Sequence, residues 1–441
     1  MTRHKIPPQS ILTRIPFNAA FLALAMEFAH KGARGFGYGE READSLVLAV
    51  EELFSFYERQ AAGGSAVELE MEDQGYRLVL SISFSLANPD MRAFNLTWSV
   101  NHDSEESIEM LGLMIAARTL SSLRLDFGTG ENVILRLTRD RDYAKAQTVV
   151  LPPSDSAAAL RLASPNRDDL YHFCTMAVSS GSPFLPPFLE RPDMAADMFA
   201  SGHLDALLIL GGDWILGGVL WKPLTESCVE LFGPYLFIDD PDDRALTLLM
   251  DETVRGISRS RFRGVLRRQG ALADHERFFD LLGEIRLNRS NGASANATYY
   301  YRQLKEESSG VVYCSGNLAV FLGEQYQQLC LPRQIRAASD CQTGLRDASV
   351  LAVELEHARS LAIIRPLCSG KDMAANLSDH LVLLRGEGIV NFIVEIDTGR
   401  GEDIAFAEAL ERTGFVPRLL IPDAGLGDLV IYDHCNQDAP P

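Results

Sequence analysis

The stretch "LDALLILGGDWILGGVLW", residues 204–221, is the most hydrophobic part of this 441-residue chain. It is long enough to cross a membrane as a helix, but Asp205, Asp213 and four glycines interrupt the apolar run. Two apolar segments joined by a Gly-Gly-Asp turn at 211–213 are typical of a β-hairpin. The stretch therefore predicts two antiparallel strands inside a folded domain.

Regular elements are predicted on both sides of this hairpin. A segment rich in proline, serine and alanine at 151–159 predicts a linker that precedes them. Apolar periodicity predicts helices at 167–180 and 188–202, then after the hairpin a strand at 228–238, a helix at 242–258, a strand at 264–269 and a short helix at 275–285. This order, together with "WILGGVLW" (214–221), resembles the GNAT acetyltransferase fold over residues 158–290.

The GNAT resemblance implies an acetyl-CoA site and a general base. Glu230, on the predicted strand 228–238, falls where that fold often carries the carboxylate that takes a proton from the amine. Arg244 lies in the turn "IDDPDDRALTLL" (238–249), where GNAT enzymes bind the acetyl-CoA pyrophosphate on backbone N–H groups at a helix N-terminus. This turn has no glycine, and its four aspartates would repel a pyrophosphate. We therefore expect Asp239–Asp243 to cap the helix.

Aromatic residues of this region stand at two kinds of position. Phe278 and Phe279 stand near the position where the resemblance implies a tyrosine that protonates the leaving group. Trp214, Trp221 and Phe237 are more typical of core packing than of a ligand cage.

Residues 17–143 predict a separate unit that precedes the GNAT-like region. The pattern predicts helices at 17–33 and 40–61, antiparallel strands at 66–72 and 76–86, a helix within 108–128 that leads to a strand, and a closing strand at 131–140. Leu46, Val50, Leu53 and Tyr57 share one face of the second helix. This order and the helix start "MLGLMIAARTL" (110–120) resemble the GHKL ATPase superfamily, most closely the RsbW type of anti-sigma serine kinase, over residues 15–143.

The GHKL resemblance implies a nucleotide site, which this sequence retains only in part. In that family a helical Glu orients the attacking group, an Asn one turn later binds Mg²⁺, and a D-x-G-x-G segment holds the adenine. Glu52 fits the Glu position, but Phe56 stands at the Asn position. The segment "ISFSLANPD" (82–90) replaces the glycine motif, and Gly112 marks the surviving helix start, which can bind an anion. We expect Glu52 to be a solvated helix charge and Phe56 to be a core residue.

Residues 299–434 are similar to the region that follows the GNAT domain in bacterial RsbW–GNAT fusion proteins. After a predicted loop at 287–298, the pattern predicts strands at 311–314 and 349–365, a helix at 373–387, a strand at 389–397, a helix at 402–414 and a hairpin at 414–434. This order resembles the second half of the preceding region and predicts a degenerate internal repeat. The predicted fold class is α+β, with a GHKL-like domain (15–143), a GNAT-like domain (158–290) and a GNAT-like half domain (299–434).

Composition and charge disfavour several classes of function. A net charge of −19 disfavours nucleic acid and anionic membrane surfaces as partners. The most basic stretch, "RSRFRGVLRR" (259–268), is broken by apolar residues and predicts a solvated connection from helix to strand. Seven scattered cysteines without a C-x-x-C pair disfavour a disulfide framework or a structural metal site and favour reduced thiols in the cytoplasm. The first ten residues lack the apolar core of a signal peptide.

The altered motifs favour a bacterial regulatory protein over an enzyme. Such a protein would bind a sigma factor, a regulator of one, or a second copy of this chain, and would need neither ATP nor acetyl-CoA. Two alternatives remain open: an acetyl-CoA-dependent N-acetyltransferase with Glu230 as general base, and an ATP-dependent serine kinase that uses Glu52. A small-molecule sensor built on either scaffold also remains open, because a fold does not determine function.

Overall fold

A computed structural model describes the chain in two compact units. The described residues are 9–87, 89–97, 112–113, 115, 118–127, 132–151, 159–181, 185–240, 242–269, 277–288, 294–306, 310–338 and 345–434. The first unit holds the residues up to Ala144 with the short pieces Ala200–Gly202 and Ala348–Ala352, and the second unit holds the remainder. Among the described residues, every helix is too short or too polar to pass through a membrane.

Both units contain helices and strands. In the first unit they are β1 (Gln9–Pro16), α1 (Leu22–Gly35), α2 (Glu40–Glu58), β2 (Ala66–Asp73), β3 (Arg77–Ser85), β4 (Ser122–Phe127) and β5 (Asn132–Asp140). The second unit continues with β6 (Leu160–Ala163), α3 (Arg167–Ser179), α4 (Pro192–Ala200), β7 (Asp205–Gly211), β8 (Trp214–Pro223), β9 (Cys228–Leu236), α5 (Arg244–Ser258), β10 (Gly264–Gln269), β11 (Asp280–Asn288) and β12 (Ser294–Gln303). The last elements are β13 (Gly310–Cys314), α6 (Leu318–Gln328), β14 (Arg333–Ala337), β15 (Val350–Glu356), β16 (Leu361–Cys368), α7 (Met373–Gly386), β17 (Asn391–Asp397), α8 (Gly401–Ile404), α9 (Ala407–Arg412), β18 (Phe415–Ile421) and β19 (Leu429–His434).

In the first unit, the described residues form a five-stranded antiparallel sheet, the helices α1 and α2, and a few helical positions near Gly112. The strand order is β1-β2-β3-β5-β4. The predicted helices, the predicted strand pair and the closing strand are confirmed, whereas β1 was not predicted from the sequence. Most of the predicted helix within 108–128 lies outside the described residues, but Gly112, Leu113 and Ile115 are helical and β4 follows as expected.

The helices α1 and α2 bury different kinds of side chain. α2 buries the predicted face, with Leu46, Val50, Leu53 and Tyr57 at 3% exposure or less. α1 instead buries only small residues, namely Ala25, Ala29, Gly32 and Ala33. Small residues let the helix backbone approach its neighbours closely. Leu24, one of the large apolar residues whose spacing predicted this helix, is instead 50% exposed.

The predicted hairpin at 204–221 is confirmed as the pair β7–β8. The strands pair antiparallel and turn at Gly212, whose φ of +60° suits a glycine. They belong to a seven-stranded sheet with the order β11-β12-β10-β9-β8-β7-β6. Trp214, predicted to be a core residue, is instead 60% exposed at the tip of the hairpin, while Phe237 is buried as predicted.

Two predictions for the end of this sheet were wrong. The predicted helix at 275–285 is in fact the strand β11 from Asp280 onward, and β12 begins inside the predicted loop at 287–298. Antiparallel pairing of β11 with β12 turns Ile285 and Leu287 toward the core. The apolar residues that precede Ile285 fit the spacing of a helix as well as that of a strand, so the pairing with β12 determines which structure forms.

The last part of the chain forms a second sheet with the order β15-β16-β17-β19-β18. The helix at 373–387, the strand at 389–397 and the final hairpin are confirmed, and the helix predicted at 402–414 is split into α8 and α9. The strand predicted at 311–314 is confirmed as β13, whereas α6 and the strand β14, which pairs with β13 in parallel, were not predicted. The order matches that of β8-β9-β10-β12-β11, so the predicted internal repeat is confirmed at the level of topology.

Candidate functional site

Glu52 and Gly112, the two residues expected at a nucleotide site, lie side by side in the first unit. A Cβ atom placed on Gly112 would collide with Oε2 of Glu52 and lie 3.1 Å from Oε1. Glu52 is half-buried, and burial together with the neighbouring Glu51 raises its pKa. The predicted solvated charge is therefore only partly correct. Its carboxylate occupies the space beside Gly112 and would repel a phosphate there.

The surroundings of Glu52 are organised by packing and internal hydrogen bonds. Phe56 is buried as predicted, and its ring meets Tyr57 edge-on with centroids 5.0 Å apart. Asp90 accepts hydrogen bonds from Nε of Arg92 at 3.0 Å and from Nη2 at 2.7 Å. Burial would raise the pKa of Asp90, but the hydrogen bonds from Arg92 outweigh it and lower the pKa. The Asp90 carboxylate is thus committed to a neighbour in its own loop.

In the second unit, the parallel strands β9 and β10 stay paired over a short distance only. They pair at Gly264–Cys228, Val265–Val229 and Leu266–Glu230. Both strands are described throughout, and beyond Leu266 no further pair joins them, although β9 continues to Leu236 and β10 to Gln269. The strands thus leave a gap in the centre of the sheet.

The side chain of Arg267 reaches across this gap to β9. Its Nε donates a hydrogen bond of 2.8 Å to the carbonyl oxygen of Gly233 on β9, and its guanidinium carbon lies 5.5 Å from the ring centroid of Tyr300. Arg267 is only 5% exposed, and this desolvation lowers its pKa to about 10. The prediction that "RSRFRGVLRR" is a solvated connection was wrong for its last residues. Arg267 lies on β10, where the separation from β9 leaves a buried space for its side chain.

Glu230 is held in buried ion pairs. It is 5% exposed; its Oε1 lies 2.8 Å from Nε of Arg268 and its Oε2 lies 3.8 Å from Nζ of Lys222. Burial would raise the pKa of Glu230, but the charges of Arg268 and Lys222 outweigh it and lower the pKa. A general base works best when its pKa lies near the working pH. These surroundings favour a structural ion pair, and the catalytic role of Glu230 stays a prediction.

The ion pairs of Glu230 continue into the second sheet of the same unit. Nη1 of Arg268 lies 3.6 Å from Oε1 of Glu395 on β17. Glu395 also accepts a hydrogen bond of 2.5 Å from Nε of Arg365, whose Nη1 lies 2.7 Å from Glu354. Alternating charges thus connect the β9–β10 region with the β16–β17 region.

Arg244, the residue predicted to meet a pyrophosphate, is the exposed first residue of α5. Asp240 accepts a hydrogen bond of 2.9 Å from the backbone N–H of Leu246, which confirms the expected capping role for this aspartate. Glu230 lies near the start of β9, whereas Arg244 follows its far end. The structure therefore does not bring Arg244 and Glu230 together. Phe278 and Phe279, near the position expected for the acid that protonates the leaving group, are buried.

A second gap lies between β16 and β17. These parallel strands pair only from Leu361–Asn391 to Ile364–Val394. Beyond the last pair, the backbone N–H of Asp397 donates to Oδ2 of Asp403 on α8 at 3.3 Å. Asp403 is 7% exposed, and burial raises its pKa to about 7. The acidic "GED" at 401–403 was the only signal for this residue in the sequence, and it suggested no more than a helix start.

The comparisons with known proteins give a fold likeness for part of the chain. No protein-family profile and no curated protein matches the sequence. The chain is similar to solved GNAT acetyltransferases over about a third of its length.

Three such structures show the extent of this likeness, each aligned with 34% of this chain. An N-acetyltransferase from Staphylococcus aureus aligns over 100% of its own length, with 11% identity and a TM-score of 0.29. An aminoglycoside 6'-acetyltransferase aligns over 99%, with 10% identity and a TM-score of 0.27. The L7/L12 N-terminal acetyltransferase RimL, solved with coenzyme A, aligns over 97%, with 11% identity and a TM-score of 0.26. Similarity at this level assigns neither activity nor cofactor to this chain. The GHKL resemblance of the first unit stays a prediction.

Proposed function

We propose that this protein acts by binding a protein partner and turns over neither ATP nor acetyl-CoA. The position of Arg267 is the main support. Its guanidinium bridges the separated parts of β9 and β10 by a hydrogen bond to the Gly233 carbonyl oxygen. If this unit resembles a GNAT domain, a cofactor would bind in that gap and contact the backbone of β9.

Two further contacts support the same proposal. Glu52 places a carboxylate against Gly112, where the GHKL resemblance expects a phosphate. Asp403 accepts a hydrogen bond from the backbone N–H of Asp397 beside the second gap. Under this proposal, a ligand would have to displace a side chain of the protein in each place.

The partner class follows from the resemblance of the first unit to anti-sigma kinases. A sigma factor or a regulator of one is the first partner to test, and a second copy of this chain is the next. Binding is measured by calorimetry with the purified chain and candidate sigma factors from the same bacterium. A saturable complex with a sigma factor supports the proposal, whereas catalytic transfer of phosphate or acetate by the purified chain contradicts it.

An N-acetyltransferase is the second candidate function, and the start of α7 favours it. Gly370 and Lys371 follow β16, and Asp372 at the N-cap, the one acidic residue at this helix start, makes no side-chain capping hydrogen bond. A helix N-terminus of this kind can bind phosphate, unlike the aspartate-rich start of α5. The test is acetyl transfer to a panel of amines, with Glu230→Gln as the variant. This candidate requires saturable acetyl-CoA binding by the wild-type protein, and Glu230 has no catalytic role if the variant transfers acetate at an unchanged rate.

A further inference from the structure

The second unit contains two halves that share the same chain path. In the first half, β8 and β9 lead through α5 to β10, β11 and β12; in the second half, β15 and β16 lead through α7 to β17, β18 and β19. Each half has a parallel central pair, β9–β10 or β16–β17, and inserts its last strand between the two preceding ones. The halves can therefore be compared strand by strand.

The strand registers show which residues of the two halves are equivalent. Arg268 on β10 pairs with Tyr299, and Glu395 on β17 pairs with Ile431. The next strand is bulged at the same place in both halves. The first bulge lies before Gly283, which pairs with Tyr299, and the second lies before Leu419, which pairs with Ile431. The matching bulges make Arg268 equivalent to Glu395, and Gly283 equivalent to Leu419.

Both pairs of equivalent residues contact each other between the halves. Nη1 of Arg268 lies 3.6 Å from Oε1 of Glu395. A Cβ atom on Gly283 would lie 2.7 Å from Cδ2 of Leu419. When two identical bodies pair about a two-fold axis, residues near the axis meet their own equivalents. The contacts in the second unit have this property.

The surface between the halves is also a continuous apolar core. One cluster of buried residues draws on both sheets, with Cys228, Leu266, Ile285, Leu287, Tyr299 and Tyr301 from the first half and Leu361, Ile363, Ile393, Leu419, Ile421 and Ile431 from the second. A core shared in this way is typical of an obligate dimer interface.

We infer that the second unit is a pseudo-dimer within one chain, in which the β9–β12 face binds an equivalent half-domain supplied by the same polypeptide. The residues at the pseudo-axis have diverged in complementary directions. Two copies of the first half would place Arg268 against Arg268, and two copies of the second half would place Leu419 against Leu419. Arginine against glutamate and glycine against leucine make each half fit the other. This inference is independent of the proposed function.

A double-mutant cycle on the charged pair tests this inference. The variants of the full-length chain are Arg268→Met, Glu395→Gln and the double variant, and the folding equilibrium constant is measured by chemical denaturation. Each single variant is expected to lower the constant. If the two single effects were independent, the folding constant of the double variant would fall by the product of the two single falls. We expect it to be about tenfold higher than that product, because the effects of contacting residues are coupled. The exposed pair Glu408–Arg412 on α9 is the matched control, and its two glutamine variants should be additive.

A second cycle tests the size pair independently. Gly283→Ala is expected to lower the folding constant through its collision with Leu419 and through its φ of +147°. In a Leu419→Ala background only the backbone effect remains, so the same substitution should cost several-fold less. Coupling in both cycles supports the pseudo-dimer. Additive effects of Gly283→Ala and Leu419→Ala overturn the pseudo-dimer. The size cycle alone decides the question if Arg268→Met does not fold and the charged cycle cannot be completed.

Discussion

Replacement of Arg267 by alanine tests its contact across the gap between β9 and β10. The substitution removes a charged hydrogen bond of 2.8 Å to Gly233 and the contact with Tyr300. A hydrogen bond from a charged group contributes about 1.5–3 kcal/mol to stability. The variant also loses the buried packing of the arginine side chain, but it no longer has to desolvate a guanidinium, and this gain offsets part of the packing loss. We expect a net loss of about 3 kcal/mol, which corresponds to a fall in Tm of roughly 6–12 °C for a unit of this size.

Thermal unfolding followed by circular dichroism and calorimetry measures this effect. Arg267→Met keeps most of the side-chain volume and should lose less than half as much stability as Arg267→Ala. Arg255→Ala is the matched control, because Arg255 pairs with Glu252 on the exposed side of α5 and should cost less than about 0.5 kcal/mol. A Tm for Arg267→Ala within about 1 °C of the wild-type value would show that the guanidinium does not stabilise the gap.

Three further predictions concern other buried contacts. Gly112→Ala should change the Tm by less than about 2 °C, because only the flexible end of the Glu52 side chain has to move to admit the new methyl group. A fall in Tm of more than about 5 °C would contradict this. The folded-state pKa of Asp403 is raised from 3.8 to about 7, so the folded protein binds this proton more tightly and loses stability as the pH rises between these values. Asp403→Asn should therefore be more stable than the wild type at about pH 8, with a difference that shrinks toward about pH 5, and a constant difference in melts across this range would refute the assignment. Asp428→Asn should cost about 3 kcal/mol in chemical denaturation, because Arg333, with a side chain 3% exposed, loses a two-point ion pair, and a loss under about 1 kcal/mol would contradict this.

Local patterns were sufficient to predict many of the helices and strands. The hairpin around Gly212 and the apolar face of α2 follow from periodicity and turn residues, and both are confirmed. The strand β11 could not be predicted in this way, because its apolar residues fit two periods and only pairing with β12 selects one. The strand β1 lies at the edge of its sheet and is mostly exposed, so it lacks the alternation that marks a strand.

The candidate site depended more strongly on tertiary structure. Family resemblance singled out Glu52 and Gly112, and the structure does place them together. The burial of Arg267 had no sequence signal, because an arginine in a basic stretch is normally solvated and only the separation of β9 and β10 creates a buried place for it. Asp403 was missed for the same reason. Its environment is formed by the end of β16, which is distant in the sequence, and by the end of β17, against which the chain folds back.

The most direct test of the central claim is calorimetric titration of the purified full-length chain with acetyl-CoA and, separately, with ATP and Mg²⁺. If the side chains of Arg267, Glu52 and Asp403 occupy the ligand positions, neither titration should show saturable heat up to about 1 mM ligand, a limit that corresponds to a binding free energy weaker than about −4 kcal/mol. Saturable binding of either ligand with a Kd near or below about 10 µM, accompanied by a rise in Tm, would contradict the account.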